Sequence, residues 1–318
     1  MNVYITRKIP SSAKELLESK GINVKEYPKD KPILKEELIR NAKDAEGLIS
    51  LLTDKIDKEV IDSLPKLKVI ANYAVGFNNI DVKYANSKNI TVTNTPDILT
   101  DATADLAVTL VLTCARNIIH AEKFMRDKKF EGWKPKLFLG YELRGKTVGI
   151  IGAGRIGIET AKRLKSFGTK IIYYNRSKKI DFEKELEAKK VTLKKLMKTS
   201  DIISVHLPLN DKTNCLIDKE HLDLMKSSAI FINTARGEVV DEKYLIRLLK
   251  NKKIFSAGFD VYFEEPNVNN ELYKLNNVVI LPHLGSASFE ARSKMAELCS
   301  QNIINIFNGK RALTEVKI

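Results

Sequence analysis

Apolar residues follow two alternating rhythms along this chain. Short unbroken runs rich in Val and Ile are separated by stretches in which apolar positions recur at helical spacing. The first rhythm suits strands buried on both faces and the second suits helices laid against them, so the pattern predicts a parallel α/β fold. Strands are expected at 2–6, 47–51, 67–72 and 90–93, with helices at 13–18, 35–42 and 58–63 between them. From Asp101 the pattern changes to a long apolar helix opened by a capping-type Asp or Thr, followed by a second helix at 118–126. Strands at 148–151, 170–174, 202–206, 229–233, 256–260 and 278–281 come next, and a final helix at 286–307 ends before Gly309. No internal repeat or low-complexity tract interrupts this order.

One junction is more specific than the rest. The run Val148-Gly149-Ile150-Ile151 leads into Gly152-Ala153-Gly154-Arg155-Ile156-Gly157, and a helix-like segment at 158–166 follows. G-x-G-x-x-G between a strand and a helix predicts a dinucleotide site. Gly152 permits the tight turn, Gly154 lets the backbone approach a pyrophosphate at the helix N-terminus, and Gly157 lets that helix pack closely on its strand. Residues 1–151 come first, so another folded unit must precede or enclose the cofactor domain. The simplest arrangement is a split domain of residues 1–98 and 286–318, with a dinucleotide-binding domain at 99–285 inserted into it. Two crossovers then form a hinge around a cleft, a usual place for a ligand.

Composition narrows the classes. A chain of 318 residues has room for two ordinary domains, and 43% apolar with 30% charged residues fits an ordered globular protein. No apolar stretch nears the ~20 residues of a bilayer span, and the N-terminus lacks a signal-peptide layout. Cys114, Cys215 and Cys299 are isolated and form no metal-like cluster, which predicts idle thiols in a reducing, cytoplasmic setting. The net charge of +14 raises the question of nucleic acid. Most lysines are mixed with acids, however, and the densest run, Lys189-Lys190 through Lys194-Lys195, has no interleaved aromatics. It reads as solvated helix surface, and neither a nucleic-acid nor a membrane partner is expected. Basic charge also helps attract an anionic substrate or cofactor.

Three later segments each follow an apolar strand, at the carboxyl edge where open α/β sheets bind ligands. They are Asn233-Thr234-Ala235-Arg236-Gly237-Glu238, Asp260-Val261-Tyr262-Phe263-Glu264-Glu265-Pro266 and Leu281-Pro282-His283-Leu284-Gly285. An arginine, a carboxylate and a histidine converging on a nicotinamide fit one reaction. Arg236 can grip a carboxylate in bidentate fashion while polarising the neighbouring carbonyl. His283 can deliver a proton to the carbonyl oxygen, and a glutamate can orient the imidazole and favour its charged form. Spacing alone does not separate Glu264 from Glu265. His120 and His221 read as helix-surface residues, and His206, at a strand end, as structural.

These motifs resemble the D-isomer-specific 2-hydroxyacid dehydrogenase family over essentially the whole chain, and most of all its glyoxylate and hydroxypyruvate reductase branch. Supporting segments are 72–81 (Asn-Tyr-Ala-Val-Gly-Phe-Asn-Asn-Ile-Asp), 93–105 (Thr-Asn-Thr-Pro-Asp-Ile-Leu-Thr-Asp-Ala-Thr-Ala-Asp) and 138–141 (Phe-Leu-Gly-Tyr). The resemblance implies two Rossmann-like parallel-sheet domains, the cofactor domain inserted into a split flavodoxin-like substrate domain. It implies catalytic Arg236, Glu265 and His283, and so favours Glu265 over Glu264. The amides of Val75 and Gly76 would hold the substrate carboxylate and Leu52 would lie near the substrate. Cofactor contacts are implied at Thr103, Gly152, Gly154, Arg155, Ile156, Gly157, Asn175, Arg176, Ser177, Pro208, Thr213, Ala235 and Asp260. Trp133, the single tryptophan, resembles a residue used near the substrate pocket and the dimer contact, with plain interface packing as the alternative. A homodimer is implied, its arm formed by residues 100–140, with the apolar helix around 106–112 offering a face to bury.

Cofactor choice follows from charge. NAD-binding versions of this fold carry an acid after the second strand, bonded to the ribose 2′-hydroxyl. Here Ile171-Ile172-Tyr173-Tyr174 runs into Asn175-Arg176-Ser177-Lys178-Lys179, with no acid until Asp181. Arg176, Ser177 and Lys178 can bond a 2′-phosphate, so NADP(H) is favoured and NAD(H) remains possible, with Asn175 on the ribose and Arg176 on adenine. The expected reaction reduces a small 2-oxoacid, glyoxylate or hydroxypyruvate first, to the D-2-hydroxyacid. D-lactate or D-3-phosphoglycerate dehydrogenase is the alternative, although phosphoglycerate enzymes often carry a further C-terminal domain. A non-enzymatic NAD(H)-sensing corepressor resembles the family too.

Overall fold

The short Val- and Ile-rich runs become strands, and all pairings between named strands are parallel. The computed structural model describes residues 1–317, which divide into two units: Met1–Leu99 with the chain from Ser286 onward, and Thr100–Gly285. In the first, β1 (Asn2–Ile5), β2 (Asn23–Glu26), β3 (Gly47–Ser50), β4 (Val69–Asn72) and β5 (Thr91–Thr93) form a sheet in the order β2-β1-β3-β4-β5. That is the flavodoxin order, as the resemblance implies.

Successive strand residues face opposite sides, and helices cover both. Tyr4, Leu48, Ile70 and Val92 pack with residues of α2 (Lys35–Ala42), α3 (Lys58–Asp62) and α4 (Val82–Ser87). Against the other face lies the closing helix Phe289–Phe307, itself packed on α1 (Ser12–Glu18). The packing is tight at Gly47, where a Cβ would lie 3.2 Å from side-chain atoms of Val3, Ile303 and Phe307 and would push them aside by a few tenths of an ångström. The closing helix begins three residues later than the pattern predicts, because Ser288 caps it by accepting from the Ala291 amide at 3.1 Å. Two elements escape the apolar pattern: β2 is an edge strand with no buried residue, and α4 is a short helix capped by Asp81.

The second unit holds α5 (Thr100–Ala115), α6 (Ile118–Arg126), β6 (Thr147–Ile151), α7 (Arg155–Lys165), β7 (Lys170–Tyr174), α8 (Ile180–Leu186), β8 (Lys189–Lys190), α9 (Leu193–Thr199), β9 (Ile202–Val205), α10 (Lys219–Leu222), β10 (Ile230–Asn233), α11 (Glu242–Lys250), β11 (Ser256–Phe259) and β12 (Val278–Ile280). Its sheet runs β12-β11-β10-β9-β6-β7-β8, a doubly wound Rossmann order with one further strand beyond β11. One face packs α9, α10 and α11 against Ile203, Phe231 and Phe259. The other packs α5, α7 and α8 against Ile150, Tyr173 and Ile232. On α5, Val108, Leu110, Val111 and Cys114 are buried in the unit's own core, while Leu106 and Leu112 are only half-buried. Exposed apolar side chains cluster instead on α6 and the segment after it, at Ile118, Ile119, Met125, Phe130, Trp133 and Leu139. Among the described residues no single helix is long and apolar enough to cross a membrane.

Candidate active site

Strands β10, β11 and β12 are neighbours in one parallel sheet, so the loops leaving their carboxyl ends emerge side by side. Arg236 stands on the first. Asn233, closing β10, accepts from the Ala235 amide at 3.0 Å and donates to the Arg236 carbonyl at 2.9 Å, which fixes that turn. Gly237 then passes so close to the second loop that a Cβ would lie 2.0 Å from the Tyr262 carbonyl carbon. Only glycine permits this approach. Burial works against the charged form of Arg236 and lowers its pKa, while Glu265 and Glu238 oppose the shift. The guanidinium nevertheless stays protonated at any physiological pH.

The second and third loops are joined by the Glu265–His283 pair. Glu265 Oε2 and His283 Nδ1 are 2.7 Å apart, with side chains 28% and 26% exposed. Glu265 Oε1 also accepts from the Tyr262 amide at 3.1 Å. Burial tends to raise the Glu265 pKa, but His283, the Tyr262 amide and Arg236 together hold it below the ordinary carboxylate range. With Nδ1 engaged, His283 has Nε2 left for a reacting group. Among the described residues Glu265, and not Glu264, which spacing leaves equivalent to it, bonds the imidazole.

His283 adopts a left-handed backbone, φ +56°, at a cost of order 1 kcal/mol that the surroundings must offset. Asp260 does so directly: its carboxylate accepts from the Leu284 amide at 2.6 Å and the Gly285 amide at 2.8 Å. Burial raises the Asp260 pKa against the pull of those amides and of His283. The resemblance implies a cofactor contact for Asp260, but here both its oxygens brace the histidine loop. Thr103, likewise implied near the cofactor, donates from its hydroxyl to the Gly285 carbonyl at 2.9 Å.

Two bracing residues were not marked as functional by the sequence. Tyr262 OH donates to the Leu281 carbonyl at 2.7 Å, tying the second loop to the third. Glu242 accepts from the Phe263 amide at 2.9 Å, and burial raises its pKa. An aromatic in a polar post-strand turn is a signal for Tyr262. For Glu242, which lies on α11, no local signal exists. His206 bonds Ser204 Oγ at 2.8 Å, and desolvation drives its pKa down to about 3, so its ring is neutral. His221 pairs with Asp218 at 2.8 Å.

The glycine loop fits a dinucleotide on structural grounds. Gly152 has φ +100°, and a Cβ there would meet the His206 carbonyl oxygen at 2.6 Å. At Gly154, by contrast, a Cβ would meet nothing within 4 Å, leaving open space at the N-terminus of α7 where an anionic group is favoured. Arg155 and Ile156 open α7, and Gly157 packs against the Gly152 carbonyl. Beyond β7, Asn175 Nδ2 donates to the Ser177 carbonyl at 3.0 Å and shapes the turn that exposes Arg176. Lys178 pairs with Glu183 at 3.2 Å, which leaves it a weaker anion ligand than the sequence suggests. Pro208 and Thr213 belong to one loop, closed by a bond of 2.6 Å from the Thr213 hydroxyl to the Pro208 carbonyl. Ala235 is half-buried beside Arg236.

In the first unit, Leu52 lies 37% exposed after β3. The Val75 carbonyl accepts from Asn94 at 2.8 Å and the Gly76 carbonyl from Asn72 at 2.7 Å. Their own N–H groups have no acceptor among the described residues. Asn79 ties this region to the Leu52 loop, donating to the Leu51 and Asp54 carbonyls, each at 3.0 Å.

Comparison with known proteins adds independent support. Residues 108–285 match the family described as D-isomer specific 2-hydroxyacid dehydrogenase, NAD binding domain. A glyoxylate reductase of Thermococcus litoralis is 50% identical over 313 residues, 97% of this chain and 94% of that protein. Among solved structures, a Thermus thermophilus protein superimposes with a TM-score of 0.94 at 39% identity, covering 100% of both chains. An NADPH-dependent glyoxylate/hydroxypyruvate reductase of Sinorhizobium meliloti, solved with NADP and malonate, gives a TM-score of 0.88 at 32% identity, covering 99% of this chain and 96% of that one.

Proposed function

Because the chain belongs to the D-isomer-specific 2-hydroxyacid dehydrogenase family and is a nicotinamide-dependent oxidoreductase, we propose that it reduces a small 2-oxoacid, glyoxylate or hydroxypyruvate first, to the D-2-hydroxyacid. One observation carries the reading: the 2.7 Å Glu265–His283 pair on loops adjoining that of Arg236. Arg236 holds the substrate carboxylate and polarises the neighbouring carbonyl. His283 gives the Nε2 proton to the carbonyl oxygen, and Glu265 keeps the ring oriented through Nδ1. The nicotinamide, when bound, supplies the hydride. We assign the Val75 and Gly76 amides to the carboxylate and Leu52 to the substrate's short carbon chain. The glycine loop, Thr103, Arg155, Ile156, Pro208, Thr213, Ala235 and Asp260 are assigned to the cofactor side.

A screen with glyoxylate, hydroxypyruvate, pyruvate and phosphohydroxypyruvate, each with NADH and NADPH, tests this. Turnover of none of them would end the proposal, and pyruvate or phosphohydroxypyruvate leading would move the assignment to the alternatives. We propose NADPH as the preferred cofactor, with Asn175, Arg176 and Ser177 on the adenosine side. Equal kcat/KM for the two nicotinamides would refute it. The exposed apolar side chains of α6 and the Trp133 segment suit a homodimer interface. Light scattering showing a monomer at micromolar concentration would exclude that. The free thiols Cys114, Cys215 and Cys299 suit a reducing compartment, and we assign the chain to the cytoplasm.

A further inference from the structure

The basic run at residues 189–195 is solvent-exposed, but only part of it is helix. Lys189 and Lys190 form β8, the edge strand beside β7, and α9 begins only at Leu193. A shallow cleft of about 900 Å³, open to solvent, lies there, lined by Tyr174, Asn175, Arg176 and Lys178 at and after the end of β7, Lys189 and Lys190 from β8, and Lys195 from α9. One carboxylate, Glu183, also lines it. Glu183 is already engaged, by Lys178 at 3.2 Å and by the Tyr173 hydroxyl at 2.8 Å. Arg176, Lys189 and Lys195 have no carboxylate partner among the described residues. Lys190 Nζ donates to the Arg176 carbonyl at 3.1 Å, which draws β8 towards the turn without neutralising the charge. Four cations without compensating acids around one cleft repel each other, and a multiply charged anion relieves that repulsion.

We propose that Lys189, Lys190 and Lys195 form a second wall of the 2′-phosphate site, opposite the Asn175–Ser177 turn, and act as specificity-determining residues for the phosphorylated dinucleotide. The proposal rests on the NADPH reading above and extends it to residues outside the turn. Because the lysines act through charge, selectivity falls as ionic strength rises, more steeply than binding of a nucleotide without the 2′-phosphate. An edge strand can also carry lysines merely to block pairing with another chain. That role would leave selectivity untouched.

Calorimetric titration of the full chain separates the cases without relying on turnover. The probes are adenosine 2′,5′-bisphosphate, 5′-AMP and inorganic phosphate. The proteins are wild type, R176A, the triple variant K189Q/K190Q/K195Q, and K194Q, whose lysine lies in the same run but outside the cleft. Wild type should favour the bisphosphate over 5′-AMP. The triple variant should lose about tenfold or more of that preference, the scale of three partly screened charges acting on a phosphate. Its 5′-AMP affinity should change by no more than about twofold, and K194Q should keep the wild-type preference. Full selectivity in the triple variant, with loss in R176A, would overturn the second wall while leaving the NADPH reading intact. No preference in wild type would overturn both. Inorganic phosphate binding as tightly as the bisphosphate would make the cleft a free-anion site and refute the assignment.

Discussion

Gly237→Ala tests the assembly of the active site with the smallest possible change. The added Cβ would lie 2.0 Å from the Tyr262 carbonyl carbon, 2.1 Å from its oxygen and 2.2 Å from the Phe263 nitrogen. Each separation falls at least about 1.2 Å short of ordinary contact, and every atom met is backbone. No rotamer change can relieve the clash, so the Arg236 loop and the Tyr262–Glu265 loop must part by about 1 Å or more. The bond from Tyr262 N to Glu265 Oε1 and the bond from Phe263 N to Glu242 lie directly in the path of that movement. Overpacking of this kind costs about 1–3 kcal/mol of stability. A misplacement of about 1 Å near reacting groups costs up to about 100-fold in rate. The expected variant is folded, melts several degrees lower and loses about 30- to 100-fold in kcat/KM for glyoxylate reduction. Steady-state kinetics and thermal melting measure both. Wild-type kcat/KM together with an unchanged Tm would show that the two loops are not in register against each other, and the geometry argued for Arg236 and Glu265 would fall with it.

His283→Ala should lower kcat by about 10²–10⁴, the usual worth of a positioned acid–base group, with NADPH affinity by fluorescence titration almost unchanged. A matching loss of cofactor affinity would show that the imidazole serves the fold of the site instead. Arg236→Lys keeps the charge but removes the planar fork, so KM for the 2-oxoacid should rise and kcat should fall together; a change in kcat alone would contradict a carboxylate-gripping role. Glu265 has a pKa below its ordinary value, so its contribution to stability is present above the unfolded-state pKa and disappears as pH falls through the lower folded-state value. The Tm gap between wild type and Glu265→Gln should therefore be largest near neutral pH and narrow on acidification below about pH 4. A gap that widens in acid would reverse the assigned sign. Tyr262→Phe removes the hydroxyl bonded to the Leu281 carbonyl and should destabilise by about 1 kcal/mol, with a several-fold fall in kcat; unaltered kinetics would mean that this brace does not hold the histidine loop.

Much of this was legible along the chain because it depends on local order. The apolar runs announced buried parallel strands, and the G-x-G-x-x-G junction at Gly152 announced a strand–turn–helix with space for a ligand at Gly154. Strands without such runs went unseen. The β2 residues Asn23–Glu26 alternate weakly on an edge, and β8 consists of two lysines. Neither buries enough apolar surface to leave a pattern, since each is held by the ladder of a neighbouring strand. The same limit hides from the sequence that the exposed Lys189 and Lys190 stand beside the turn bearing Arg176.

Residue types and their spacing were enough to establish the alternating α/β plan, the dinucleotide loop and a short set of chemically able side chains, because backbone periodicity and glycine sterics act between near neighbours. Which glutamate meets His283, why Gly237 admits no side chain, and how Asp260, Tyr262 and Glu242 hold the loops depend on contacts between residues 18 to 25 positions apart. Those contacts exist only once β10, β11 and β12 lie side by side, and strand order is set by how whole helices pack on a sheet, a sum over distant residues that no local window contains.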